Sequence, residues 1–195
     1  LGFLGIALAP HCLGTMLGFG TSILVVTFAA QLLPLDIILP VVAPLNLSLS
    51  AYLAVRHRQH TQFRPLLRRI APLAFAGIPL GLLLFNLGAS HWLELAFGGF
   101  VIVLASLQLV RAWRAREERA LKPVVSGALL VGGGIVHGLF STGGPLVVYA
   151  LAREFPDKNR FRSTISTMFL PMTTALLVNY AVTGLYTEQV FRLLG

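Results

Sequence analysis

The sequence has a single cysteine, Cys12, so no internal disulfide can form. A lone cysteine among apolar neighbours behaves as a small hydrophobe. Charge is scarce too: Asp, Glu, Lys and Arg make up 11% of 195 residues, and only 7 residues are acidic. No Ser/His/Asp order, no metal-ligand spacing and no phosphate-loop lysine occurs, which removes the familiar catalytic constellations and leaves no motif that calls for a cofactor or a metal. The start lacks a basic n-region, so it does not read as a cleavable signal. Without an initiator Met it is expected to follow a few further residues.

What is abundant is apolar. With 56% hydrophobic residues and a mean hydropathy of +0.81, the chain has more apolar surface than one soluble core of this size hides, and belongs in a bilayer. Stretches 37–55, 70–87, 92–110 and 163–185 are each close to the about 20 residues a spanning helix needs, and none contains Lys or Arg. The net charge of +8 does not describe a nucleic-acid partner, because the basic residues crowd into three connections. Arg56, Arg58, Arg64, Arg68 and Arg69 share the first, Arg111, Arg114, Arg116, Arg119 and Lys122 the second, and Arg153, Lys158, Arg160 and Arg162 the third. Such clustering is the positive-inside pattern and marks these connections as cytoplasmic.

Two further apolar runs, 1–33 and 123–152, are too long for one simple span, and each is interrupted by small residues. The breaks read GTMLGFGTSILVV at 14–26 and HGLFSTGGPLVV at 137–148. If 123–152 crossed completely, the basic connection 153–162 would lie outside, against the bias of the other two. The conflict disappears if the run enters from the cytoplasm, turns near the midplane at 138–145 and returns. Arms of about 15 residues reach about 22 Å into an apolar layer of about 30 Å. By the same reasoning the run 1–33 is a hairpin entered from outside.

The expected fold is therefore all-α, a polytopic membrane protein of inverted repeats, each a glycine-broken re-entrant segment followed by spanning helices. Residues 1–122 form the first repeat and 123–195 the second, which ends in TEQVFRLLG as an unfinished element. Short echoes accompany the division. Ile23-Leu24-Val25-Val26 matches Pro145-Leu146-Val147-Val148, and Pro44-Leu45-Asn46-Leu47-Ser48 resembles Pro171-Met172-Thr173-Thr174-Ala175. The competing arrangement makes each run one broken, tilted spanning helix and the halves parallel.

The breaks also carry the chemistry. Pro145 suits the first turn of a helix, where its missing N–H costs nothing. Ser141, Thr142, Gly143 and Gly144 then stand at a helix start whose N–H groups lack intrahelical partners. Gly18, Gly20, Thr21 and Ser22 make the equivalent start in the first half. Two positive helix ends converging on one cavity form an anion site without a buried Arg. The carboxylates sit in connections or at span edges, so none is a deep Na⁺ or H⁺ ligand. Asn46, Ser48 and Thr173 flank the helix-kinking Pro44 and Pro171 and are expected to line the cavity, whereas Asn179 reads equally as glue between helices. His11 and His137 stand just before the breaks and are candidates for anion contact or proton coupling. Gly77 and Gly81, four apart, and the Gly132–Gly134 triplet read as faces for close helix contact.

In LGFGTSILVV (17–26), GLFSTGGPLVVYAL (138–151), the basic connection after the second segment and RSTISTMF (162–169), the chain resembles the sulfite exporter TauE/SafE family, also called the toluene sulfonate uptake permease family. The family's glycine stretch usually reads closer to GxGGG, and Thr21 and Ser22 replace glycines here. The resemblance implies a multi-pass carrier in the bacterial inner membrane that moves sulfite, sulfonate, sulfoacetate or thiosulfate, with more spans than this chain shows. The partners it implies are a small anionic substrate and the lipid bilayer. A homo-oligomer is left open, and an anion channel or a non-transporting scaffold subunit would use the same segments differently.

Overall fold

The computed structural model describes residues 21–88, 90–114, 121–152, 154–155, 157–188 and 190, and the regular elements among them are all helical. A short helix α1 (Thr21–Ala29) leads into α2 (Leu35–Arg56), which contains Pro40 and Pro44. Helix α3 runs from Phe63 to Leu87 and includes a π turn at Leu66–Ile70, flanked by Pro65 and Pro72, each of which removes one N–H from the helical ladder. Helices α4 (Ser90–Arg114), α5 (Pro123–Phe140), α6 (Gly144–Leu151) and α7 (Lys158–Val182) follow. Among the described residues, α2, α3, α4, α5 and α7 are long and apolar enough to cross a membrane.

The expected spans are helical except at 183–185, because α7 ends at Val182, and two of them start well before the apolar stretch. The first basic connection is shorter than 56–69, because the chain is helical again at Phe63, and Arg64, Arg68 and Arg69 ride on the first turns of α3. Helix α7 begins at Lys158 rather than 163. The Asp157 carboxylate accepts the N–H groups of Asn159 at 2.8 Å and Arg160 at 2.9 Å, and so caps a helix start that hydropathy alone does not mark.

Two interfaces hold the bundle. Helices α3 and α5 run parallel, with Gly77 and Gly81 facing Gly134 and Gly138. A Cβ on Gly134 would run into the Ala74 carbonyl, and one on Gly138 would stand 2.8 Å from the Ile78 oxygen. Between helices in lipid, where apolar burial offers little net gain, such backbone contact supplies the attraction. Helices α2 and α7 run antiparallel, and hydroxyls join their basic ends. Ser163 Oγ donates to the His57 carbonyl at 2.8 Å, the Gln62 N–H donates to Thr164 Oγ1 at 3.0 Å, and the hydroxyls of Thr61 and Ser163 are in direct contact. Helix α4 is the most exposed of the long helices among the described residues, with Trp92, Ile102 and Trp113 outward. Its inner face offers Phe97 and Phe100 to Phe140, at ring-centroid distances of 5.1 and 6.3 Å.

The run 123–152 folds back on itself. Gly143 lies against Gly133 and His137, Val147 lies against Gly133, and Leu146 against Gly132. Beyond α6, Glu154 Oε1 accepts from Ser126 Oγ at 3.3 Å, near the start of α5, and pairs with Arg69 at 3.0 Å. Both ends of this helical hairpin therefore lie at the end of the bundle that holds the 57–62 connection. At the opposite end Asn86 and Asn179 exchange amide hydrogen bonds of 3.1 and 3.3 Å. The arms are unequal, however. Helix α5 has 18 residues and α6 has 8, about 27 Å against about 12 Å, where matched arms of about 15 residues were expected. The break is also confined to Ser141–Gly143 instead of 138–145, because Gly138 stays helical where it packs on α3.

Candidate functional site

The break lies level with the middle of α2. Asn46, whose amide nitrogen is 3.5 Å from Ser141 Oγ, stands about 15 Å from either end of α2. Helix α5 ends there because Ser141 turns left-handed, at φ 54° and ψ 20°, while its N–H still bonds the His137 carbonyl at 2.8 Å. Among the described residues it is the one non-glycine with positive φ. A left-handed helix end is usually glycine or asparagine, so the serine is held in a costly conformation by its surroundings. Gly143 then reverses the chain. A Cβ there would stand 2.6 Å from His137 Cβ and collide with the Gly133 carbonyl, so only glycine allows this approach. Gly144 differs, since a Cβ on it would meet nothing nearer than the tip of the Phe169 ring at 4.0 Å.

Helix α6 starts from this turn with Pro145 in its first turn and no side-chain cap. Its leading N–H groups and the positive end of its dipole sit at the centre of the bundle. Around them, Ser141, Thr142, Gly143 and His137 are all buried. His137 Nε2 is 3.3 Å from Thr173 Oγ1, and the imidazole lies over Phe169 at a centroid distance of 5.2 Å. Two polar atoms here are buried without a hydrogen-bond partner, Thr142 Oγ1 and His137 Nδ1.

The structure thus brings Asn46, His137, Ser141, Thr142, Gly143, Gly144 and Thr173 to one place. It does not bring Ser48, which is exposed and donates to the Pro44 carbonyl at 2.9 Å. Asn179 serves as glue through its pairing with Asn86. Thr21 and Ser22 are the first described residues of α1, whereas Gly18, Gly20 and His11 lie outside the described residues. Phe169, which floors the imidazole, was not anticipated. It precedes Thr173 by one helical turn, so projecting the face of α7 that carries Thr173 would have found it.

Chemically, the cluster offers hydroxyls, an amide, an imidazole and backbone N–H groups, with no cation beside them. Among the described residues, every Lys and Arg of the helices falls in the first or last turns of its span. Such a set suits a small anion, by hydrogen bonding and helix dipole. No curated protein and no solved structure matches the chain significantly. A family model does: the one described as Sulfite exporter TauE/SafE matches residues 2–195. Helices of spanning length, the broken apolar run and this match along essentially the whole sequence make the chain a multi-pass membrane protein belonging to the sulfite exporter TauE/SafE family.

Proposed function

We propose that the protein carries a small sulfur-containing anion, of the sulfite, sulfonate, sulfoacetate or thiosulfate type, across the bacterial inner membrane by alternating access around the Ser141–Gly144 break. The observation that carries the reading is an uncapped helix start, level with the middle of α2, beside the unpartnered Thr142 hydroxyl, a place where an oxyanion would complete the hydrogen bonding. Ser141, Thr142, Gly143, Gly144, Asn46 and Thr173 contact the anion from this side. Gly18, Gly20, Thr21 and Ser22 do so from the first repeat. The antiparallel contact of α2 and α7 supports an inverted relation between 1–122 and 123–195, with Asn46 and Thr173 in matching positions after Pro44 and Pro171.

Counterflow of radiolabelled sulfite in proteoliposomes tests the proposal. Unlabelled sulfite inside is expected to accelerate uptake from outside, and Gly144→Leu to lower that uptake by about tenfold, about 1.4 kcal/mol in the barrier, while the protein stays folded. Gly143→Ala is expected to fail by misfolding, since its Cβ meets backbone. Sulfite flux without acceleration would make the protein a channel, and no flux of sulfite or organosulfonates would remove the transport reading.

A further inference from the structure

The site described above is short of positive charge for the ligand it suits. An anion taken from water into apolar surroundings loses its hydration, and hydroxyls with a helix dipole replace only part of it. No Lys or Arg among the described residues lies at this depth. The titratable side chains on the packed elements are few. Helix α3 has none between Ala71 and Leu87, α6 has Tyr149, and α7 has Lys158, Arg160 and Arg162 in its first turns and Tyr180 two turns beyond Thr173. Helix α2 has Asp36, Tyr52 and Arg56 toward its ends, and α4 has His91 and Glu94 near its start and Arg111 and Arg114 in its last turn. His137 alone of these sits beside the break.

Its geometry is that of a held ring. Thr173 fixes Nε2 at 3.3 Å, Phe169 covers one face, and Gly143 lies against Cβ, while Nδ1 is buried with no partner. Thr142 Oγ1, on the residue preceding Gly143, is the second unpartnered atom. Both atoms belong to residues that adjoin Gly143, Thr142 in sequence and His137 across the turn, and a buried polar atom without a partner is one that an oxyanion would satisfy.

We propose that His137 takes up a proton together with the anion, so that the imidazolium is the substrate's counter-charge and transport is anion–proton symport. This rests on the carrier reading given above and adds its coupling. In the loaded site Nε2–H donates to Thr173 Oγ1 and Nδ1–H donates to an anion oxygen. The proton comes from the side the anion enters and leaves with the anion on the other. Either charge alone at this depth is costly, and the pair compensates, so the two are taken up and released together.

The test uses the whole protein in proteoliposomes with radiolabelled sulfite, comparing wild type with His137→Gln, which keeps a group able to bond Thr173 but cannot become a cation. Acidifying the outside is expected to accelerate wild-type uptake several-fold, and His137→Gln to lose that response. Ring ¹⁵N NMR of the wild type in detergent at about pH 8, above the ordinary histidine value of about 6.5, reads the same event without a variant. Saturating sulfite is expected to turn one imidazole into an imidazolium. Wild-type counterflow that ignores the pH gradient, a gradient response retained in His137→Gln, or ring nitrogens unmoved by sulfite would each overturn the proposal. Absence of wild-type counterflow with sulfite or organosulfonates would instead remove the carrier reading, and this proposal with it.

Discussion

Serine at a left-handed helix end trades stability for a hydroxyl, and Ser141 makes that trade at the centre of the bundle. Ser141→Gly is expected to stabilise the fold by about 1 kcal/mol through relief of the positive φ, and to slow sulfite counterflow because the hydroxyl is lost. Thermal unfolding in detergent and flux measured on the same preparation check both halves. A variant that is no more stable would mean that the serine costs nothing there. At this scale the sequence made Ser141, Thr142, Gly143 and Gly144 conspicuous, since small polar residues inside an apolar run are expensive unless used. It did not separate Asn46 from Ser48. Residues two apart on a helix point about 200° apart, so one cavity cannot take both, and the spacing does not say which one faces it. Only the packing of α2 against the break decides for Asn46.

Helix ends carry the next lesson. Hydropathy located the apolar middle of each span but not its start, because caps are made by single polar side chains. Asp157 is the example. Its carboxyl is held below the ordinary range chiefly by the hydrogen bond from the Arg160 N–H, with that from Asn159 and the Arg160 charge adding to it. A depressed carboxylate contributes stability that is present above its unfolded value of about 3.8 and is lost as pH falls through the lower folded value. Acidification through and below pH 4 is therefore expected to loosen the start of α7, and Asp157→Asn to flatten that part of the stability–pH curve. Thermal unfolding in detergent from about pH 6 to pH 3, wild type against Asp157→Asn, measures it; parallel curves would show the cap to be idle. The same neglect of local chemistry placed the break too broadly. Gly138 looks like loop material in the sequence, yet glycine also serves helix contact, and α3 claims it.

For the molecule as a whole, loop charge was the informative signal. It implied that 123–152 returns to the side it came from, and the bond between Ser126 and Glu154 gives the hairpin that closure. Read as membrane topology, this has a direct check. With Cys12 replaced, single cysteines at Arg58 and Lys158 are expected to react with an impermeant thiol reagent from the same side of the membrane. One at Thr183, beyond the far end of α7, is expected to react from the other. Opposite labelling of positions 58 and 158 would restore the spanning alternative. The unequal arms were not readable, because the length of a return arm depends on where a tertiary contact ends the preceding helix.

The glycine contact between α3 and α5 joins a helix of the first sequence half to one of the second, and the hydroxyl contact between α2 and α7 does the same. Close-packed backbones slide only by driving carbonyls into neighbouring chain, so the first of these seams opposes sliding. The packed helix pairs of the protein are thus cut across its sequence halves. One pair is built from α3 and α5, the other from α2 and α7, and the pairs meet at the Asn86–Asn179 amides, at the Asn46–Ser141 contact and at the Thr173–His137 contact. The imidazole at the break thus lies in the seam between a helix pair held by backbone contact and one held by hydroxyls.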